Sequence, residues 1–175
     1  PGSGLGRAAQ GAERSGGYFG RDGGGHRRRC DRGITTTAAA LGLDTNVLVR
    51  FLVQDDAGQA EAATALICSL TESAPGFVSR EVLVELVWVL ERAYHLGRAD
   101  IARALDGLLE ARELQIEAAD RVALAADRYR KGGPGFADQM VALAGHAAGC
   151  RATATFDRKA ASVPGMELLG VKPDH

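Results

Sequence analysis

From residue 40 onward the chain alternates short apolar runs with longer stretches of helical periodicity, and no other feature restricts its fold as much. Strands that recur only after an intervening helix cannot pair through tight hairpins. They pair through crossovers, which gives an α/β fold with a mostly parallel sheet. ALGL (40–43) reads as a first strand, Asn46 to Val53 as a short helix, and 57–71 as a second, Ala-rich helix, with Pro75 and Gly76 as punctuation. GFVS (76–79) reads as a second strand. The segment 80–96, REVLVELVWVLERAYHL, reads as a long helix stopped by Gly97, with a stripe of Val82, Leu86, Val89 and Ala93 widened by Leu83, Val87 and Leu90. A helix over 100–111, a strand LQIE (114–117), a helix over 120–131 and a GGPG turn (132–135) follow. Phe136 to Ala148 is helical again, closed by Gly149; RATATF (151–156) is a strand, Arg158 to Ala161 a brief helix, and MELLG (166–170) a last strand.

The 175 residues suffice for one ordinary domain, and 46% apolar with 25% charged residues matches a globular chain. Residues 1–40 depart from this, holding 11 of the 23 glycines and 7 Arg against 3 acidic residues. So few large apolar side chains cannot offset the entropy of ordering, so a Gly/Arg-rich leader over 1–39 is expected to be disordered. It has no apolar core of a signal peptide, and no run of 18 apolar residues occurs anywhere, which excludes a membrane-spanning helix. The expected organisation is leader 1–39, domain 40–171 and tail 172–175. Residues 41–175 carry 14 basic and 19 acidic side chains, so a nucleic acid would have to be held by local Arg patches or by metal. Three cysteines, Cys30, Cys68 and Cys150, share no C-x-x-C spacing, which suits a reducing, cytoplasmic setting. His26 and Cys30 resemble half a zinc site without a second pair.

Four carboxylates stand at telling places. Asp44 ends the first strand, Glu85 lies within the apolar long helix, Asp138 opens the helix after GGPGFA, and Asp157 ends TATF. Singly, each has a plain structural reading: Asp44 and Asp157 as N-caps, Asp138 as an anion in a first turn, Glu85 at the solvent edge of its stripe. Jointly they say more, because two of them fall at the carboxyl ends of expected parallel strands, where open α/β sheets place ligands. At about 5 Å and an effective dielectric of about 20, each like-charge pair would cost about 3 kcal/mol. A shared pocket then requires protonation or a cation, and oxygen-only donors suit Mg²⁺ or Mn²⁺.

LGLDTNVLVRFLVQDD, the long helix with VELVWVLER, FADQMVALAGHAAGC and TATFDRKAA together resemble the PIN domain, and within it the VapC-type toxin ribonucleases of toxin–antitoxin pairs, over about residues 40 to 170. The resemblance implies a three-layer α/β/α sandwich with a central, mostly parallel sheet of about five strands. It places the family's four acids at Asp44, Glu85, Asp138 and Asp157, which serve as catalytic residues and metal ligands, with Asn46 orienting the first and Thr155 beside the last. It implies Mg²⁺- or Mn²⁺-dependent endonucleolytic hydrolysis of RNA, leaving 5′-phosphate and 3′-hydroxyl ends. A small antitoxin protein and a homodimer are the implied partners. Arg50, Arg80, Arg158 and Lys159 lie near the expected strand ends and are candidates for RNA phosphate contact, though each reads equally well as a solvated surface cation.

The rival of a different class is a catalytically inactive PIN fold serving as an RNA- or protein-binding module. A phosphoacceptor receiver would want a late-strand lysine, and Lys131, Lys159 and Lys172 are not so placed. An aspartyl phosphatase would show Asp-x-Asp where LDTN stands. GSGLG follows no strand and GGPG lacks the Lys-Ser/Thr of a phosphate loop. His95 and His146 read as structural, and Trp88 as packed or at an interface.

Overall fold

The computed structural model describes residues 39–170; the leader but for Ala39, the half zinc motif at His26 and Cys30, and the tail lie outside the described residues. In chain order the elements are β1 (Leu41–Gly42), α1 (Thr45–Val53), α2 (Ala57–Ser69), β2 (Gly76–Val78), α3 (Arg80–Arg92), α4 (Arg98–Glu110), β3 (Leu114–Ile116), α5 (Ala119–Arg130), α6 (Phe136–Ala147), β4 (Thr153–Thr155), a 3₁₀ turn (Ala160–Ser162) and β5 (Met166–Leu168). The chain is α/β, and each expected strand and helix is present within a few residues of its expected bounds. The chain gathers into two compact units, one of residues up to Val78 with Ala111–Gln115, the other of Ser79–Glu110 with Ile116 onward.

The first unit holds a three-stranded sheet in the order β1-β2-β3, with β1 parallel to β2 in the register Leu41↔Gly76 and Gly42↔Phe77. Bonds from Leu41 N to Pro75 O (2.9 Å) and Leu43 N to Phe77 O (2.8 Å) carry the ladder to the end of the strand, while α1 and α2 pack on one another. Gly76 is required by close packing: an added Cβ would lie 2.8 Å from both Leu43 Cδ1 and Leu70 Cδ1. The second unit holds β4 parallel to β5, in the register Thr153↔Met166 to Thr155↔Leu168, with α3, α4, α5 and α6. Here the expectation of one sheet of about five strands is corrected. Among the described residues the strands form one sheet of three and another of two. With only two or three residues each, they offer short ladders, and helices dominate the packing.

The long helix differs in two respects from its expected form. It ends at Arg92 instead of running to Leu96, and the left-handed residue behind it is His95 (φ 53°), with Leu96 N donating to Leu90 O at 3.0 Å. Gly97 is not a left-handed stop. Its buried face is Leu83, Leu86, Val87 and Leu90, whereas Val82 and Val89 are half-buried and Ala93 is exposed. The spacing of three and four residues is the same, but the stripe is turned to the leucines. Each buried leucine contributes about 1.5–3 kcal/mol through removal from water. Ile101, Leu105 and Leu108 of α4, Val122 and Tyr129 of α5, and Phe136 of α6 complete this core, with α4 packed on α5 and α5 on α6.

Candidate functional site

Asp44 stands immediately after β1 as the N-cap of α1, with extended backbone (φ −86°, ψ 159°). Its Oδ2 accepts the side-chain amide of Asn46 at 3.2 Å and, more weakly, the Asn46 backbone N–H at 3.4 Å. The capping role read from the sequence is therefore present, and Asn46 is the residue that steadies the carboxylate. Asp44 remains exposed, with Leu43 and Thr45 buried on either side of it, so the carboxylate faces water from a fixed base.

The other three acids lie in the second unit. Glu85 is exposed on α3, opposite the leucine stripe, on the same face as Glu81, Trp88 and Arg92. Asp138 is half-buried in the first turn of α6, and its Oδ2 accepts the N–H of Gly135 at 2.8 Å. The position near positive helix-end amides favours the anion. Asp157 follows β4, where its Oδ1 accepts from Lys159 N (2.7 Å) and Ala160 N (3.2 Å), capping the 3₁₀ turn. Thr155 Oγ1 accepts the Asp157 N–H at 3.0 Å, so the threonine orders the backbone that presents the acid. Asp44 and Asp157 both occupy the strand-to-helix step, and each keeps one carboxylate oxygen outside any hydrogen bond among the described residues.

The donor set fits a hard divalent cation in kind, since it consists of carboxylate oxygens, three of the four on exposed residues. Among the described residues, no three or more His, Cys, Asp or Glu side chains are gathered to hold a metal ion.

The basic candidates divide. Arg50 is committed to its own unit, donating to both oxygens of Asp55 at 2.7 Å and to Gln59 Oε1 at 2.7 Å. Arg80 pairs with Glu81 at 2.9 Å and lies 3.8 Å from Glu117, whose Oε2 also accepts the Arg80 backbone N–H. The Arg80 guanidinium holds the Glu81 carboxyl below its usual range. Arg158 and Lys159, in contrast, are exposed and carry no ion pair among the described residues. His95 and His146 are exposed and not packed in apolar surroundings, and Trp88 is 60% exposed in this chain.

A group that sequence reasoning missed lies behind Asp138. Arg98, the first residue of α4, donates to the carbonyls of Tyr129 (3.2 Å), Gly133 (2.9 Å) and Pro134 (3.3 Å), with its guanidinium 4.6 Å from the centre of the Tyr129 ring. Tyr129 is fully buried, meets Phe136 edge-on at 6.2 Å, and donates its hydroxyl to Glu91 Oε1 at 2.6 Å. Burial, and then the bond to Glu91, push the Tyr129 hydroxyl well above its ordinary pKa. The only local signal was the GGPG turn itself, since Arg98 is 31 to 36 residues from the carbonyls it holds.

Parallel strand pairs with an aspartate just beyond β1 and just beyond β4 place those acids at the carboxyl ends of strands, where open α/β proteins bind ligands. The family model described as PIN domain matches residues 42–166, which takes in all four acids, and the chain belongs to the PIN domain family. PIN domains are generally metal-dependent nucleases. No curated protein gives a significant match.

Proposed function

We propose that the chain is a Mg²⁺- or Mn²⁺-dependent endoribonuclease that hydrolyses phosphodiester bonds in RNA, and that it acts as the toxin of a cytoplasmic toxin–antitoxin pair. The observation that carries the nuclease reading is the family match over 42–166, a span that contains Asp44, Glu85, Asp138 and Asp157. The toxin role is supported by the likeness of LGLDTNVLVRFLVQDD and the three later blocks to VapC-type chains. The absence of any long apolar helix among the described residues is compatible with that setting.

In this reading Asp44 and Asp138 are the principal metal ligands, with Asp157 and Glu85 completing the donor set or orienting water. The cation supplies a lowered water pKa and charge stabilisation at the phosphate. The protein's own part is positional: Asn46 holds the Asp44 carboxylate, Gly135 N–H holds that of Asp138, and the Lys159 and Ala160 amides hold that of Asp157. Arg158 and Lys159, exposed beside Asp157 and without an ion pair among the described residues, are the cations proposed to meet RNA phosphate. Arg50 and Arg80 act through their ion pairs as structural residues. A small antitoxin covering the acids, and a homodimer, are the proposed partners.

The test is incubation of purified protein with total RNA, with and without Mg²⁺, alongside Asp44→Asn, followed by mapping of the cut ends. Cleavage that needs Mg²⁺ and is lost in the variant supports the reading; cleavage that survives EDTA, or equal cleavage by the variant, overturns it. RNA binding without cleavage by the wild type supports the binding-module alternative.

A further inference from the structure

Asp138 is held through the cap of its own helix, and that cap belongs to a turn fixed from far along the chain. The Asp138 Oδ2 is held by the Gly135 N–H, and Gly135 closes a turn that includes Gly132 (φ 98°) and Gly133 (φ 85°). Two left-handed glycines leave such a turn little intrinsic stiffness. What fixes it is Arg98. The guanidinium is a rigid fork of donors, and here it gathers three carbonyls, one at the end of α5 and two from the turn itself. The carboxyl end of a helix also favours a cation. Arg98 is in turn seated on the Tyr129 ring, whose hydroxyl is tied to Glu91 on α3. A continuous path of contacts therefore runs from α3 and α5 through Arg98 to Pro134, the residue before Gly135.

We infer that Arg98 is the positioning residue for Asp138, setting the α5–α6 turn so that the Gly135 amide holds the carboxylate in the orientation the site uses. Arg98 touches no reacting group. It acts as outer-shell partners of metal ligands do, through the backbone that aims the ligand. The inference rests on the nuclease reading for what Asp138 does, but not for how Asp138 is held.

The experiment compares the wild-type chain with Arg98→Ala and Arg98→Lys by amide hydrogen exchange and by the Mg²⁺ dependence of RNA cleavage. Loss of the clamp should accelerate exchange at Gly135 by about tenfold or more over and above any acceleration of the buried α3 amides of Leu86 and Val87, which report the stability of the unit as a whole. Lysine keeps the charge but cannot span three carbonyls, so Arg98→Lys should fall between the two and keep the protein folded if the alanine variant does not fold. The Mg²⁺ concentration for half-maximal cleavage should rise about tenfold to a hundredfold. A purely stabilising role would instead speed Leu86, Val87 and Gly135 together. Wild-type Gly135 exchange in both variants, or uniform acceleration, overturns the inference. If the wild type cuts no RNA yet Gly135 alone is released in the variants, the positioning stands and the nuclease reading falls.

Discussion

The corner between β1 and α1 and the turn between α5 and α6 each present an aspartate held by a group within three residues, but only the second turn is itself clamped from far along the chain. Asp44 is held by Asn46, two residues on, in an exposed contact that costs the rest of the first unit nothing to maintain. Asp138 is held by Gly135, but the turn that carries Gly135 is held by Arg98, and Arg98 by a buried ring and its hydrogen bond to Glu91. The first arrangement separates function from stability. The second couples them, because the groups that aim the carboxylate are also part of the second unit's core.

Conversion of either carboxylate to an amide gives the largest expected effect. Asp44→Asn and Asp138→Asn should each lower RNA cleavage by about two orders of magnitude or more, since a neutral amide cannot compensate a cation at the site. Their stabilities should differ. Asparagine caps a helix about as well as aspartate, so Asp44→Asn should melt with the wild type. Asp138→Asn replaces a charge-assisted bond from Gly135 by a neutral one and should cost about 1 kcal/mol in urea unfolding. Equal destabilisation by the two would break the comparison.

Tyr129→Phe probes the distant support directly. It keeps the ring under Arg98 and against Phe136, but leaves the Glu91 carboxylate without its donor. Unfolding in urea should show a loss of about 1 kcal/mol, the net worth of a hydrogen bond to a half-buried carboxylate that water can partly reach. An unchanged midpoint would mean that Glu91 rehydrates and that the anchor on α3 is dispensable.

The same hydroxyl makes a prediction about alkali. Its pKa is raised in the folded protein above the unfolded value of about 10, so above that pH the unfolded chain gives up the proton while the folded chain retains it. The stabilisation is complete below about pH 10 and declines as pH rises further. Wild-type stability should thus fall more steeply than that of Tyr129→Phe above pH 10, as read from thermal melts across the range. Parallel slopes would show that Tyr129 ionises as freely in the folded chain as in the unfolded one.

Much of the fold was legible because it is written in local periodicity and punctuation: the short strands ahead of Asp44 and Asp157, the glycines at 132, 133 and 149, and the carboxylates of Asp44 and Asp157 that accept backbone amides all act within a few residues. The sheet was not, since strands of two or three residues leave their pairing to the rest of the fold. On the long helix, valines and leucines alternate so closely that periodicity allowed either stripe. Packing chose Leu83, Leu86, Val87 and Leu90. At the site, the acids and Asn46 were legible as types at a spacing. Arg98 and Glu91 were not, because their meaning depends on contacts more than thirty residues away. Nor does sequence distinguish a cation paired nearby, such as Arg50 with Asp55, from one that has no ion pair among the described residues, such as Lys159.

Asn46→Ala should have the smallest effect, and it isolates the local arm of the comparison. The variant removes the 3.2 Å bond to Asp44 Oδ2 but leaves the carboxylate able to accept the backbone N–H of residue 46. Because the contact is exposed, its net worth is no more than about 1 kcal/mol, and denaturant unfolding should shift by less than that. Cleavage should fall only about fivefold, because Asp44 still reaches its position but spends less time in it. A collapse in stability would show that the β1–α1 corner depends on Asn46 as the α5–α6 turn depends on Arg98, and the distinction between a locally held corner and a remotely clamped turn would be lost.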